Sequence, residues 1–485
     1  MKIEINNLGP ISHLVVDLKK DMHLIYGENS IGKSYATYTI YCLLKNIINK
    51  QYNRGYYLFH SKEDFESSAP IQFLRTKLKE VRAKKELDCT NEFISLLEDQ
   101  LKDLFLTAFQ NSLKNTFSSL KNLKNRRVNE NYNIIIHLNK DEKINFISND
   151  EGELDLKYES LDTKFRILEK STKSTRFSFY INGKKKFGKP NEEQFINEFS
   201  GFFINSINKI LRQIDFGIRD IYYLPASRSG LYQALNAFTP IIAKLTQSRF
   251  FLQSNSIELP SLSEPLSDYF IDLSTVDKKN ENHEFKEIIE LFQKDILKGF
   301  VDYNEDTKQI IFKPDDIDLE LNLSESSSMV AELSPLVIYF RHILNNKYAS
   351  NRIKDLNFFD RFYMAEYKQK GRYFDIIFIE EPEAHLHPKI QVALIEIFAK
   401  LTSLKLKIFI TSHSNYMFNK LNNLILGNSL NEKRLSVYHL IPTGKGTIQS
   451  RDMKVTSEGI EDRNFQDVSE KLFNERIELF ESKND

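Results

Sequence analysis

The chain opens with alternating apolar and polar positions: MKIEINNLGPISHLVVDL has the period-two pattern of strands. Residues 2–26 read as two strands about a turn at Asn7–Pro10, the second being MHLIYG, followed by a helical stretch over 33–49. Within 62–126 apolar residues recur at helical spacing (FLRTKLKEVRAKKEL, FISLLEDQLKDLFLTAF), predicting one or more long amphipathic helices. Period two returns in YNIIIHLNKDEKINFI, LDLKYES, FRILEK and RFSFYINGKKKF, predicting an antiparallel sheet with turns at NG and near NDEG. A helix around 193–213 and the strand DIYYL follow, and residues 231–300 read as mostly helical with a polar break at 276–284. The last part alternates DIIFIE, a helix from Pro388, LKIFITS, a helix near 415–423 and VYHLI, predicting an α/β core whose middle strands are buried on both faces.

Composition narrows the class. The 485 residues, 41% of them hydrophobic with 37 Phe and 22 Tyr, supply a folded core and exclude a mostly disordered chain. Lys+Arg and Asp+Glu both number 67, so net charge gives no reason to infer bulk attraction to nucleic acid or membranes. Cys42 and Cys89 form no C-x-x-C pair and no disulfide framework, which points to a reducing compartment. There is no secretory apolar block, and no run approaches the roughly 18 apolar residues of a membrane span. We expect a soluble, cytoplasmic protein.

GENSIGKS, Gly27–Ser34, matches G-x-x-x-x-G-K-[ST] directly after a strand and at the start of a helix. In that context glycines let the backbone turn tightly, and successive N–H groups form an anion nest at the positive end of the helix. Gly27, Asn29, Ser30, Gly32, Lys33, Ser34 and Tyr35 are therefore expected around the phosphates of ATP. Lys33 would reach the β- and γ-phosphate oxygens and Ser34 would ligate Mg²⁺. Such a loop needs a carboxylate near its metal and a group to orient water. Glu380 and Glu381 end the apolar strand in DIIFIEEPEAHLHP, where ligands bind in α/β sheets. Glu380 is assigned to the Mg²⁺ environment and Glu381 to polarising water. Asp375 precedes the strand, about 16 Å away at the wrong end. Glu383 reads as structural. His385 and His387 lack the further ligands of a zinc site and read as turn or contact residues.

At these residues the chain resembles a known family. FIEEPEAHLHP is similar to the Walker B and D-loop of ABC-type ATPases of the RecF, SMC and OLD group, and ITSHS at 410–414 to its switch histidine. The resemblance implies that His413 contacts the γ-phosphate. SSSMVAELSPL at 326–336 resembles the signature, so that Ser327 and Ser328 would meet the γ-phosphate of a second subunit, with Met329 where glycine is usual. Glu380 stands where Asp is usual. No Q-loop glutamine is evident; Arg228 in LPASRSGL is a substitute, an ordinary loop arginine being the alternative. The long separation of Walker A from Walker B disfavours a hexameric AAA+ unfoldase.

The implied organisation is an α/β, ABC-type (RecF/SMC-like) P-loop ATPase head with an antiparallel β subdomain and helical insertions. Its parts are the Walker A part of the head at 1–50, a helical insertion at 51–128, the β subdomain and return strand at 129–230, a helical lobe at 231–320, and the signature-to-C-terminal part of the head at 321–485. The resemblance implies ATP hydrolysis, a homodimer or higher homo-oligomer through the heads, and a separate effector, nuclease or toxin, as in the anti-phage systems Septu, PARIS and certain retrons. No Toprim nuclease domain is expected after His413. A RecF- or SMC-like DNA-binding factor is the alternative; KNLKNRR (121–127) and KKKFGK (184–189) could contact phosphates but read better as solvated faces.

Overall fold

The computed structural model describes residues 1–52, 68–128, 130–161, 163–169, 176–189, 191–214, 217–232, 262–279, 281–344, 374–451, 453–461 and 468–481. Of the expected helical insertions at 51–128 and 231–320, residues 53–67 and 233–261 lie outside the described residues.

Lys2–Leu8 (β1) and Ile11–Asp17 (β2) form an antiparallel hairpin whose turn places Asn7 and Gly9 at φ of 54° and 56°. Met22–Tyr26 (β3) is a separate, fully buried strand, so residues 2–26 hold three strands rather than two. Lys33–Tyr52 (α1) follows. The amphipathic stretch becomes Ala69–Lys84 (α2), then Thr90–Leu101 (α3) and Thr107–Phe117 (α4) joined by a π-helical turn. Lys85, at φ 64°, stops α2, and a short strand Glu86–Asp88 (β4) interrupts the helices.

Asn133–His137 (β5), Glu142–Ser148 (β6) and Leu154–Ser160 (β7) are antiparallel, as are Phe165–Glu169 (β8), Phe177–Ile181 (β9) and Lys184–Lys189 (β10). They do not share one sheet: β5 pairs with β1, whereas β8 pairs with β4. The second sheet covers an aromatic stripe on Glu192–Ile214 (α5), where Phe195, Phe199 and Phe203 pack against Phe165, Phe179 and Phe93. The strands divide between two sheets, yet the buried faces of both, such as Ile136 and Phe146 on one and Phe165 and Phe179 on the other, join one continuous core.

Ile218–Leu224 (β11) leads to Glu264–Ser274 (α6) and Lys286–Glu290 (α7). Gly299–Asn304 (β12), Gln309–Pro314 (β13) and Leu321–Asn322 (β14) then form a three-stranded sheet inside the stretch expected to be helical. Its alternate residues Val301, Tyr303, Ile310 and Phe312 are buried, a period-two pattern. After Ser328–Ile338 (α8) come Phe374–Glu380 (β15), Pro388–Leu401 (α9), Leu406–Ser412 (β16), Asn415–Leu426 (α10), Leu435–Thr443 (β17) and Gly446–Gln449 (β18). Lys454–Thr456 (β19), Gly459–Glu461 (β20) and Val468–Glu481 (α11) close the described chain.

The main sheet has the order β11-β15-β16-β3-β17-β18-β2-β1-β5-β6-β7, parallel from β11 to β17. This is the mixed α/β class expected from the pattern. Ile376 and Phe378 face the core under α1, while Ile377 and Ile379 face the one under α8, α9 and α10, so β15 is apolar on both sides. Glu380 pairs with Thr411, and Ser412 with Tyr26, so the C-terminal ends of β15, β16 and β3 lie level. That common edge, a ligand-binding position in open α/β sheets, carries the motif residues. At the opposite end Asp375, inside the strand rather than before it, is buried in a bidentate pair with Arg219 (2.8 and 2.6 Å).

Candidate functional site

The loop 27–32 leaves β3 and enters α1. Gly27 and Gly32 have φ of 152° and 102°; a Cβ at Gly27 would lie 2.7 Å from the Leu440 carbonyl, and one at Gly32 2.6 Å from Pro10 Cγ. Ser30 also has positive φ, 62°. Asn29, Ser30 and Ser34 are exposed, whereas Lys33 is buried. Its ammonium donates to the carbonyls of Gly27 (3.0 Å) and Glu28 (2.7 Å) and lies 3.2 Å from His413 Nδ1. Burial brings Lys33 down to about 8 against the opposing pull of Glu381, Glu383 and Glu380. The Tyr35 ring stacks on Phe117 with centroids 5.0 Å apart, so this expected nucleotide residue commits its side chain to packing α1 on α4.

Glu380 is buried at the end of β15, and burial raises its carboxyl above the usual range despite hydrogen bonds from Ser34, Tyr223 and the Ala226 N–H. Thr37 supports it, 3.5 Å from Oε1 and 2.9 Å from the Tyr223 hydroxyl. Tyr223 was not singled out in the sequence; a buried tyrosine hydroxyl facing the strand end was the available signal. The hydroxyl of Ser34 thus meets the carboxylate of Glu380 beside the phosphate loop, an all-oxygen pair that suits a hard divalent cation.

Glu381 sits at φ 40°, a strained conformation for a non-glycine residue, and its N–H is held by the Thr411 carbonyl at 3.0 Å. Its Oε1 is 2.9 Å from His413 Nε2, and that hydrogen bond is the main reason its carboxyl lies below the ordinary range. Glu381 therefore stays ionised near neutral pH and can accept from water. Glu383 accepts from the His413 N–H (2.6 Å) and the Ser412 hydroxyl (2.7 Å), fastening the loop that carries the imidazole. Ser414 caps α10, accepting from Met417 N, and donates to Gln391 on α9 (2.5 Å). His387 caps α9 through Nδ1, which accepts from Lys389 N at 3.2 Å, and His385 is an exposed turn residue at φ 59°.

Ser327 and Ser328 are exposed at the start of α8, where Ser327 Oγ accepts from Val330 N as N-cap. Arg228 is not in a nucleotide-facing position. It is completely buried, with a guanidinium spent on Glu332 and on the carbonyls of Pro225, Glu332 and Glu380, because a charge out of water must be paired.

Glycine-bearing loop, buried strand-end carboxylate, second carboxylate and imidazole thus converge on one sheet edge. The chain belongs to the AAA ATPase domain family, whose model matches residues 1–418. No functionally curated protein matches it. Among solved structures it is similar to an SMC head bound to the C-winged helix domain of ScpA, at 12% identity over 93% of this chain and 96% of that one, TM-score 0.33. It is also similar to the SMC head domain from Thermotoga maritima, at 9% identity over 93% and 97%, TM-score 0.31. A Pyrococcus furiosus Smc head bound to the C-terminal domain of ScpA matches at 11% identity over 93% and 95%, TM-score 0.31. No helix among the described residues is long and apolar enough to cross a membrane.

Proposed function

We propose that the chain hydrolyses ATP and that ATP draws two such heads together, a closure that switches or scaffolds a separate effector, a nuclease or toxin, in bacterial anti-phage defence. In this reading Lys33 and the loop N–H groups hold the phosphates, Ser34 and Glu380 hold Mg²⁺, Glu381 takes the proton of the attacking water, and His413 faces the γ-phosphate. The metal would neutralise charge on the phosphate oxygens. Ser327 and Ser328 complete the second head's site.

The observation that carries the reading is the exposure of Ser327 and Ser328 at a helix N-terminus while Asn29, Ser30 and Ser34 are exposed on the phosphate loop. Two such half-sites complement each other, since helix N-termini favour anions. ATP then binds the closed state better and shifts the population toward it. The effector part rests on the resemblance to the ATPases of anti-phage systems.

Scattering with and without ATP on the Glu381→Gln protein, followed by co-purification with the products of adjacent genes, tests both parts. Closure with ATP and a retained nuclease or toxin support the reading; an unchanged particle size refutes the two-head switch. The exposed Lys184, Lys185 and Lys186 on β10 favour the second reading, a DNA-binding factor. By contrast, Lys121 and Lys124 are paired with Glu151 and Asp150. ATP-dependent DNA binding with a steep salt slope, without an effector, would select it.

A further inference from the structure

Arg228 and Glu332 are both completely buried, and their contacts bridge two places that the two-head reading uses separately. At one end, Arg228 Nη1 donates to the carbonyl of Glu380 at 2.9 Å and to that of Pro225 at 3.0 Å. At the other, Nε donates to the carbonyl of Glu332 at 3.0 Å and Nη2 lies 3.3 Å from its Oε2. The Glu332 carboxylate also accepts from the backbone N–H of Arg228 (3.1 Å), from that of Ser229 (3.3 Å), and from the Ser229 hydroxyl (2.5 Å). Glu332 lies about one turn into α8, which opens at Ser328.

We propose that the Arg228–Glu332 pair is a coupler inside each head: it fixes the helix that presents Ser327 and Ser328 to the backbone of Glu380. A change at the end of β15 when the head's own phosphate loop is loaded moves or orders the serines offered to the other head. Arg228 is a positioning residue; it touches neither phosphate nor metal. Three features favour a coupler over simple packing. The guanidinium is rigid and planar, so displacing one end displaces the other. A buried, densely bonded network, in which Nε and Nη1 donate and Nη2 is held by charge alone, permits few intermediate arrangements. Replacing a buried ion pair by apolar residues of similar volume is often neutral or stabilising, so stability is a weak reason for charges here. Coupling of two sites through one element with few states has the form of an allosteric link.

The proposal rests on the two-head reading, and the experiment separates them. Wild type, Arg228→Lys, Glu332→Gln and the double variant Arg228→Met, Glu332→Leu are compared, each also with Glu381→Gln. ATP affinity is read by equilibrium dialysis, closure by scattering with ATP, and kcat and KM by phosphate release. We expect ATP affinity and KM to stay within a few-fold of wild type while closure and kcat fall by about tenfold or more, a size typical of coupling between sites. Wild-type closure and kcat in the double variant overturn the coupler and leave the two-head reading standing. Absence of closure with ATP in the Glu381→Gln protein that keeps Arg228 and Glu332 overturns both. If the double variant does not fold, the two single variants decide: closure lost beyond ATP affinity supports the coupler, and parallel loss of both refutes it.

Discussion

Nε2 of His413 lies 2.9 Å from Oε1 of Glu381, while Nδ1 of the same ring lies 3.2 Å from Nζ of Lys33. The ammonium can only donate, so Nδ1 accepts and the ring proton sits on Nε2, aimed at the carboxylate. One imidazole therefore joins the phosphate-loop lysine to the candidate base. A γ-phosphate drawing Lys33 would remove one of these two bonds and free the ring to respond.

Glu381→Gln keeps an acceptor for Nε2–H but cannot take a proton. ATP binding is expected to survive, with turnover falling by about 10²–10⁴-fold, the usual worth of a general base. Phosphate release and equilibrium binding measure the two. If Glu381→Gln kept full turnover while Glu383→Gln lost it, the roles within FIEEPE would have to be exchanged.

Lys33→Ala removes the ammonium, and Gly32→Ala forces a Cβ to within 2.6 Å of Pro10 Cγ at a φ of 102°. Both are expected to abolish ATP binding by different routes, lost charge and distorted loop. The cost of the strained backbone alone is about 1–3 kcal/mol. Calorimetric titration with ATP, beside a melting curve, distinguishes them: Lys33→Ala keeps the wild-type melt and Gly32→Ala does not. Tight ATP binding by Lys33→Ala would remove the phosphate loop from the argument.

Glu383 accepts from the N–H of His413 at 2.6 Å, and in the proposed reading it acts on turnover through that residue. Glu383→Ala leaves this N–H and the Ser412 hydroxyl without their acceptor, a loss of about 1–3 kcal/mol. The expected result is a lower kcat at similar KM and a destabilised fold, with Glu383→Gln milder because its amide oxygen still accepts. Equal kcat in all three proteins would make Glu383 a bystander.

The candidate site was legible because its motifs are local: Gly27, Gly32, Lys33 and Ser34 lie within eight consecutive residues, and Glu380 and Glu381 end an apolar strand. What the sequence did not reveal depends on partners far along the chain. The polar β4 carries no periodic signal, and only its pairing with β8, Glu86 to Leu168, Leu87 to Ile167 and Asp88 to Arg166, makes it a strand. Period two identified β5–β10 as strands but cannot say which neighbours they choose, so two sheets read as one. Val301 and Tyr303 do alternate, yet they follow a long helical pattern that masked them. Arg228 read as a Q-loop substitute or an ordinary loop arginine because nothing local announces Glu332 as its partner.

The last prediction concerns stability and pH. His23 on β3 is completely buried, its ring stacked on Phe409 with centroids 4.0 Å apart, and it contacts the Tyr438 hydroxyl and the Lys20 carbonyl at 3.2 Å each. Burial, with a smaller push from the charge of Lys407, lowers it from 6.5 to about 3. Between those values the unfolded chain binds a proton that the folded chain refuses, so stability is lost as pH falls from about 6.5 toward 3. At pH 5 the loss is about 2 kcal/mol, from roughly one and a half pH units at 1.36 kcal/mol each. Asp21, paired with Arg434 and Lys407, also weakens in acid, but those pairs hold its carboxyl below the ordinary carboxylate range, so it does not titrate above pH 5. Urea midpoints at pH 7 and pH 5, compared between wild type and His23→Gln, isolate this histidine from the other groups that titrate in the same range. His23→Gln is expected to be less stable at pH 7, because it loses the stacked ring, yet to lose less on going to pH 5 than wild type does. Identical losses in the two proteins would mean that His23 is not held neutral by its burial.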